Sequence, residues 1–278
     1  MAGGDKRLIL PLAALFVAFF IAPLCVLVAL SLSAGPELRP ATFAQFAKFF
    51  GDSLNYDILF DTLLLGVKAT LVCLAFGYPI AWVCARVSAR WQSVLVFLVI
   101  LPILTSVVVR TFSWIVILGR QGILNQIVQG LGLADEPLRL LFTEGGVIVV
   151  LAQVQMPLMV LPILAVMSKI DPNLESASRA LGAGEWRTLW RVTIPLSLPG
   201  VVAGCILTYA ACVTAFVTQT LIGGARHVYM PLHIYQQAVG ANNWPFAAAI
   251  SIVFMIAVLA VIFALERIGQ RSRAYVGA

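Results

Sequence analysis

The chain has 278 residues, of which 61% are hydrophobic and only 11% charged, with a mean hydropathy of +1.00 and a net charge of +6. A soluble domain carries about 25% charged residues, so this composition excludes a water-facing globule, and the unbroken apolar runs of ~20 residues exclude an alternating membrane barrel. The positive charge is scattered between apolar runs, with no basic block or aromatic-interleaved face, which excludes a nucleic-acid partner and leaves an all-α integral membrane protein in contact with lipid.

Six apolar runs follow along the chain: Leu8–Leu32, Thr62–Ala85, Trp91–Val109, Val147–Met167, Leu198–Ile222 and Phe246–Leu265. Each is long enough to cross a hydrocarbon core of ~30 Å as a helix, and together they predict one transmembrane domain over residues 1–278. The first run follows Lys6 and Arg7 as a secretory signal would, but a signal core is only ~7–15 residues long; a retained first span is expected. Lys and Arg in the connections set the orientation. One side collects Lys6, Arg7, Arg86, Arg90, Lys169, Arg179, Arg187, Arg191, Arg267, Arg271 and Arg273; the other collects Arg39, Lys48, Arg120, Arg139 and Arg226. The richer side holds both termini, which are therefore expected in the cytoplasm.

After the third run, Arg110 falls near the outer boundary, and the apolar TFSWIVILG that follows is too short to cross back. It is expected to lie along the interface or re-enter against protein. The outer connections, about 38–61, 119–145 and 223–245, leave no room for a separate domain. Prolines at 23, 79, 102, 157 and 162 bend the spans or shape their packing. Gly200 and Gly204 stand at the spacing that lets two membrane helices approach closely. The cysteines (Cys25, Cys73, Cys84, Cys205, Cys212) all fall inside apolar runs, with no CxxC and no neighbouring His, so buried free thiols are expected and neither a disulfide framework nor a metal site.

One inner connection is built to fold: KIDPNLESASRALGAGEWRTLWRVTIPLSLP, Lys169 to Pro199. Asp171 is placed to cap a helix with Pro172 at its first position, and Glu175 sits in the first turn where the helix dipole favours it. Leu174, Ala177 and Leu181 recur on one face, and Gly182 is placed to end the helix. A second short helix from about Gly184 carries Trp186, Leu189 and Trp190 on one face, before Pro195 and Pro199 lead back into the membrane. This is either an amphipathic connector at the membrane surface or a docking element for a cytoplasmic partner.

The stretch ESASRALGAGEWRTLWRVTIPLSLPG resembles the EAA loop of permease subunits from binding-protein-dependent ABC importers. Glu175, Ala177, Gly182, Ala183 and Pro195 fall on that family's pattern, with Ser176 in place of the usual Ala and Ile194 in place of the usual Leu. GYPIAWVCARV, VVVRTFSWIVILGRQGILNQ, PLRLLFT, VQMPLMVLPI and NNWPFAAAISI resemble the spermidine/putrescine branch of these permeases. The resemblance implies a six-span type I importer of MetI-like fold in a bacterial inner membrane, with residues of about 169–197 forming a coupling helix. It implies contact between Glu175, Ser176, Ala177, Gly182, Ala183 and an ATPase subunit. It further implies two ATPase subunits that bind ATP and Mg, a second homologous permease in a heterodimer, and an extracytoplasmic solute-binding protein.

The spans hold few candidates for a solute path. Lys68 and Arg110 either snorkel to the outer surface or line the path, helped by Trp114, Tyr209, Thr214, Thr218 and Gln219; Thr214 and Thr218 share a face if the helix is continuous. Asp57 and Asp61 in the outer connection can attract a cation. The branch resemblance puts a polyamine first, whereas Lys68 suits a carboxylate-bearing solute such as an amino acid, γ-aminobutyrate or an opine; phosphonates are also handled by the wider grouping. An intramembrane enzyme fits poorly, because His227 and His233 are the only histidines and neither HExxH nor GxSxG occurs. A self-contained secondary transporter would show an inverted repeat and broken helices, which the sequence does not announce. No P-loop is present, so ATP must be hydrolysed by other subunits.

Overall fold

The computed structural model describes residue 11, residues 14–33 and residues 42–274; Lys6, Arg7, Leu8, Glu37 and Arg39 lie outside them. Among the described residues all regular structure is helical. The elements are α1 (Ala22–Ser31, preceded by a π-helical turn Val17–Ile21), α2 (Ala44–Phe50), α3 (Ser53–Cys84), α4 (Ala89–Leu104), α5 (Val107–Leu118) and α6 (Ile123–Gly130). There follow α7 (Glu144–Met167), α8 (Pro172–Ala180), α9 (Glu185–Thr188), α10 (Ile194–Val213), α11 (Phe216–Gly223), α12 (Met230–Tyr235) and α13 (Trp244–Ala274). Six stretches are long and apolar enough to cross a bilayer: Ala14–Ser31, Ser53–Cys84, Val107–Gly130, Glu144–Met167, Glu185–Val213 and Trp244–Gly269.

Among the described residues, contacts gather in two units, one within 1–59 and 230–257 and the other within 60–229 and 258–274. In the first unit Asp52 Oδ1 accepts the Leu54 N–H at 3.0 Å and so starts α3 nine residues before the run predicted from Thr62. Buried Asn55 donates to the Phe49 carbonyl and its Oδ1 lies 3.0 Å from His233 Nε2, while Lys48 Nζ stands 4.2 Å above the Phe246 ring. Leu15, Phe16, Phe19 and Phe20 are exposed, as expected of side chains whose solvent is lipid.

The second unit is organised around α7, the most buried of the candidate spans. Its partner α10 lies against it through the two glycines noted in the sequence. A Cβ at Gly200 would meet the Pro162 carbonyl at 2.7 Å and Ile163 Cα at 2.9 Å; one at Gly204 would meet the Met159 carbonyl and Sδ at 3.0 Å. The seam is therefore backbone against backbone, where only glycine fits. Gly66 of α3 makes room instead for side chains of α10: a Cβ there would meet Val213 and, at 2.8 Å, the Tyr209 ring. Cys73, Cys84 and Cys212 are buried free thiols as expected, but Cys205 is half-buried and Cys25 is exposed.

Two predicted spans and the second surface helix are differently built. The run Trp91–Val109 is not one helix: α4 stops at Leu104, Thr105 and Ser106 are extended, and α5 begins at Val107. Pro102 sits in the last turn of α4, where it offers no N–H to the ladder, and the Thr105 hydroxyl caps its carbonyl at 2.9 Å. The apolar stretch after Arg110 then forms most of α5, which packs on protein through Thr111 and Leu118. The expectation that it is too short to cross fails, because with α6 it makes the candidate span Val107–Gly130, whereas α4 is the shorter apolar helix. The run Leu198–Ile222 is likewise broken, with Thr214 and Ala215 non-helical between α10 and α11. The Thr214 hydroxyl bonds back to the Ala210 carbonyl at 2.8 Å, and the helix ends there. The expectation that Thr214 and Thr218 share one helix face therefore fails, as does the expectation of unbroken spans. Finally, the second surface helix is not separate from the membrane run. α9 passes through a π-helical turn, Leu189–Thr193, straight into α10. The wider turn lets Ile194 N–H reach the Leu189 carbonyl five residues back, so Pro195 enters without breaking the helix.

Candidate functional site

Two places in the second unit carry the predicted functional residues, the connection 171–193 and a cavity between the two helix breaks. In the connection, Asp171 Oδ1 accepts the Asn173 N–H at 2.9 Å and Pro172 is the first residue of α8. The helix ends in a Schellman arrangement: Gly182 N–H to the Arg179 carbonyl at 2.9 Å, and Ala183 N–H to the Ser178 carbonyl at 3.1 Å. Gly182 has φ +81° with nothing within 4 Å of a Cβ built there, so glycine is required for its backbone and not for lack of room. Ser178 and Thr188 hydroxyls meet at 3.0 Å and tie α8 to α9.

The residues assigned to partner contact do not all face outward. Ala177, Leu181 and Ala183 line an open groove of about 1,040 Å³, together with Leu174, Arg187 and Arg191. Ser176 is exposed, its hydroxyl 3.2 Å from the Pro172 carbonyl. Glu175 is turned into the chain instead. Its carboxylate takes Arg86 from the turn after α3, accepts the Thr193 hydroxyl at 2.9 Å, and has Arg179 at 3.8 Å. Leu181, Trp186 and Trp190 are among the most exposed large apolar side chains of the connection.

The cavity, about 400 Å³, lies where both helix breaks come together. Arg110, Gln155, Thr214 and Thr218 supply its polar wall, and Ile103, Val154 and Phe216 its apolar one. A neighbouring hollow of about 380 Å³ shares Arg110 and adds Thr105, Trp114 and Gln153. Among the described residues, Arg110 is the only ionisable one lining either hollow. Its Nη1 donates to the Pro102 carbonyl at the C-terminal end of α4, where helix carbonyls favour a cation, and its Nε is buried with no partner among the described residues. Trp114 Nε1 donates to Gln153 Oε1 at 3.1 Å.

The structure thus brings Arg110, Trp114, Thr214 and Thr218 to hollows, and takes Tyr209 and Gln219 away from them. Tyr209 is fully buried in the helix packing, and Gln219 Nε2 donates to the Cys212 and Val213 carbonyls at 2.7 and 3.2 Å, capping α10. Lys68 Nζ pairs with Glu144 Oε1 at 2.6 Å, with both side chains about two-fifths exposed. Asp57 and Asp61 are exposed, in the helical start of α3 and not in a loop, one in each unit. Tyr229, outside the spans, is pushed well above the ordinary phenol value by burial and then by the nearby carboxylates of Glu144 and Asp61. Gln153 and Gln155 were not among the predicted residues, although two amides in an otherwise apolar run are the signal that polar groups there face a cavity or a neighbour. Arg86 and Thr193 gave no such signal, because only the fold brings them to Glu175.

The model of the family described as "Binding-protein-dependent transport system inner membrane component" matches residues 77–274. The spermidine/putrescine transport system permease protein PotB of Salmonella typhimurium is 36% identical over 215 residues, covering 77% of this chain and 75% of that protein. The inner membrane ABC transporter permease protein YdcU of Escherichia coli is 30% identical over 253 residues, covering 86% and 79%. Among solved structures, a chain of a bacterial alginate ABC transporter, in complex with an alginate pentasaccharide-bound periplasmic protein, superposes with a TM-score of 0.76 at 18% identity, over 96% of this chain and 94% of that one.

Proposed function

The chain belongs to the family of inner membrane components of binding-protein-dependent transport systems, and from that premise we propose that it is the permease subunit of an ATP-driven importer of a polyamine, of the putrescine or spermidine type. The observation that carries the cargo is the 36% identity to spermidine/putrescine permeases over 77% of the chain. The subunit performs no bond chemistry. Its work is to open and close a path through the bilayer under force supplied by two ATPase subunits, which bind ATP and Mg. It pairs with a second homologous permease as a heterodimer and receives solute from an extracytoplasmic binding protein. Both termini and the connection 171–193 face the cytoplasm in this reading.

A groove and a long helix support a route for that force. The groove beside Ala177, Leu181 and Ala183 is open, apolar and rimmed by Arg187 and Arg191, a surface suited to an ATPase cleft. From Glu185 the chain runs as one helix of 29 residues to Val213, roughly 43 Å at the standard rise. That helix ends at the break bordering the cavity, so a displacement at the connection reaches the wall of Arg110, Gln155, Thr214 and Thr218. Pairing with Glu144 cancels the Lys68 charge, which removes the main objection to a cationic solute. Asp57 and Asp61 are free to draw such a solute toward the outer side.

A second reading, import of an amino acid, γ-aminobutyrate, an opine or a phosphonate by the same machinery, is favoured by Arg110, since a cavity whose only charge is a guanidinium suits an anionic group. Cells supplying the partner subunits, with and without this chain, separate the two when given labelled putrescine and labelled γ-aminobutyrate. Chain-dependent, ATP-dependent putrescine uptake is expected. Uptake of γ-aminobutyrate alone replaces the cargo, and uptake of neither rejects both readings.

A further inference from the structure

We propose that Arg86 is a positioning residue for transport: by holding Glu175 it fastens α8 to the end of α3, so that force on α8 moves α3 together with α10. This rests on the permease reading above. Arg86 stands in the turn that closes α3, its N–H 3.0 Å from the Val83 carbonyl. Its guanidinium carbon lies 4.4 Å from the centre of the Trp82 ring, and Nη1 is 3.4 Å from the Trp82 carbonyl. These contacts aim Nη2 at the Glu175 carboxylate. The same carboxylate oxygen accepts the Thr193 hydroxyl from the π-helical turn that leads into α10, and Thr193 is 1% exposed. One carboxylate thus joins three elements, α3, α8 and the root of α10.

The arrangement is that of an internal clasp. The Glu175 side chain is 18% exposed and that of Arg86 33%, so the pair is sheltered from full solvent screening. A planar guanidinium can stack on Trp82, reach its carbonyl and grip the carboxylate at once, whereas an ammonium supplies only the charge. α8 is also tied to α9 through Ser178 and Thr188, but that bond leads only toward α10. α3 and α10 also meet directly, Tyr78 to Ser197 at 3.0 Å, so what Arg86 adds is a direct tie from α8 to the end of α3. Without it, force on α8 would reach α3 only through α10. α3 carries Asp61 in its first third and Lys68 at its middle, so a weaker tie at its end loosens their step with α8.

The test uses the whole transporter in proteoliposomes, with labelled putrescine as the solute. For the unaltered chain, Arg86→Ala, Arg86→Lys, Arg86→Glu and the exchange Arg86→Glu with Glu175→Arg, it compares co-purification of ATPase subunits and putrescine imported per ATP hydrolysed. Arg86→Ala should assemble fully yet import about five-fold less per ATP, at the low end of usual coupling between sites. Arg86→Lys should recover about half of that loss, since it keeps charge and loses the stack. The exchange should import more per ATP than Arg86→Glu alone. An unchanged ratio in Arg86→Ala, or lower assembly with a normal ratio in what assembles, overturns the proposal. Failure of the permease reading appears elsewhere, in an unaltered chain that imports nothing, and the proposal falls with it.

Discussion

The connection 171–193 and the cavity between the helix breaks handle polar groups in opposite ways. In the connection, the Glu175 carboxylate is met by Arg86, Arg179 and Thr193, and the helix ends are closed by Asp171 and by the Gly182 turn. Its shape is held from within, which frees Leu181, Trp186 and Trp190 to present apolar surface. In the cavity the polar groups are borrowed by the backbone that lines it: Arg110 by the Pro102 carbonyl, Thr214 by the Ala210 carbonyl. Bonds of that kind are readily exchanged for bonds to a passing solute, and Arg110 Nε is still unpartnered. In the proposed permease the first would serve as a stiff lever and the second as an exchangeable wall, since a charge already held by a fixed partner has no bond left to offer a solute.

The sharpest way to break this contrast uses two glycines. Gly182 and Gly132 both have positive φ, +81° and +67°, and both have open space where a Cβ would go. Replacing either by Trp incurs the same kind of backbone strain, about 1–2 kcal/mol. If the connection docks an ATPase subunit, Gly182→Trp should abolish co-purification of that subunit and lower uptake about 100-fold, a loss within the range of site-to-site coupling. Gly132→Trp should leave uptake within about two-fold, as for a surface change. Equal losses from the two would assign the effect to strain and remove the lever from the comparison.

A smaller effect sharpens the other side. Lys68 and Glu144 are a partly exposed pair, so breaking it costs less than about 1 kcal/mol of stability. For a cationic solute, Lys68→Met leaves Glu144 uncompensated, and the KM for putrescine should fall about three-fold, the scale of one partly screened charge. Glu144→Gln should shift it the opposite way. Raising salt should shrink both shifts. Loss of uptake in Lys68→Met would instead make Lys68 a direct ligand and revive the carboxylate-bearing solute.

What was legible in the sequence divides along the same line. Asp171, Pro172, Gly182 and the glycine pair in α10 act on neighbours a few residues away or through a spacing, and they stand where the pattern puts them. Hydropathy located the apolar runs but not their interruptions. Thr105-Ser106 and Thr214-Ala215 lie inside apolar sequence, and a helix broken within a run keeps the same composition as one that is whole. A Ser preceding an apolar stretch, soon after Pro102, is a start signal that could have been weighed. Lys68 was read as a lone charge because Glu144, 76 residues on, is brought to it only by packing. Glu175 likewise belonged to a motif in sequence and to Arg86 in space. Local rules located the lever, while the partners that fix its charges required the fold.

The smallest expected effect lies in the other unit and tests whether the contrast stays within its own. His233 is buried, and burial holds its imidazole below the ordinary value, with Asp52 opposing the shift. Asn55 Nδ2 donates to the Phe49 carbonyl, so Oδ1 faces His233 and accepts its Nε2–H. The folded state therefore keeps a neutral ring where the unfolded chain would take up a proton. The stability this supplies is complete above the unfolded pKa of about 6.5 and is lost as pH falls through that value toward the lower folded one. Between about pH 7.5 and about pH 5 the thermal midpoint of the purified chain should drop. His233→Gln, which keeps a donor for Asn55 and cannot titrate, should flatten that part of the pH dependence. At neutral pH it should leave uptake within about two-fold, because neither the lever nor the wall includes this ring. A large uptake defect in His233→Gln with a normal midpoint would place His233 on the solute path and extend the exchangeable wall into the first unit.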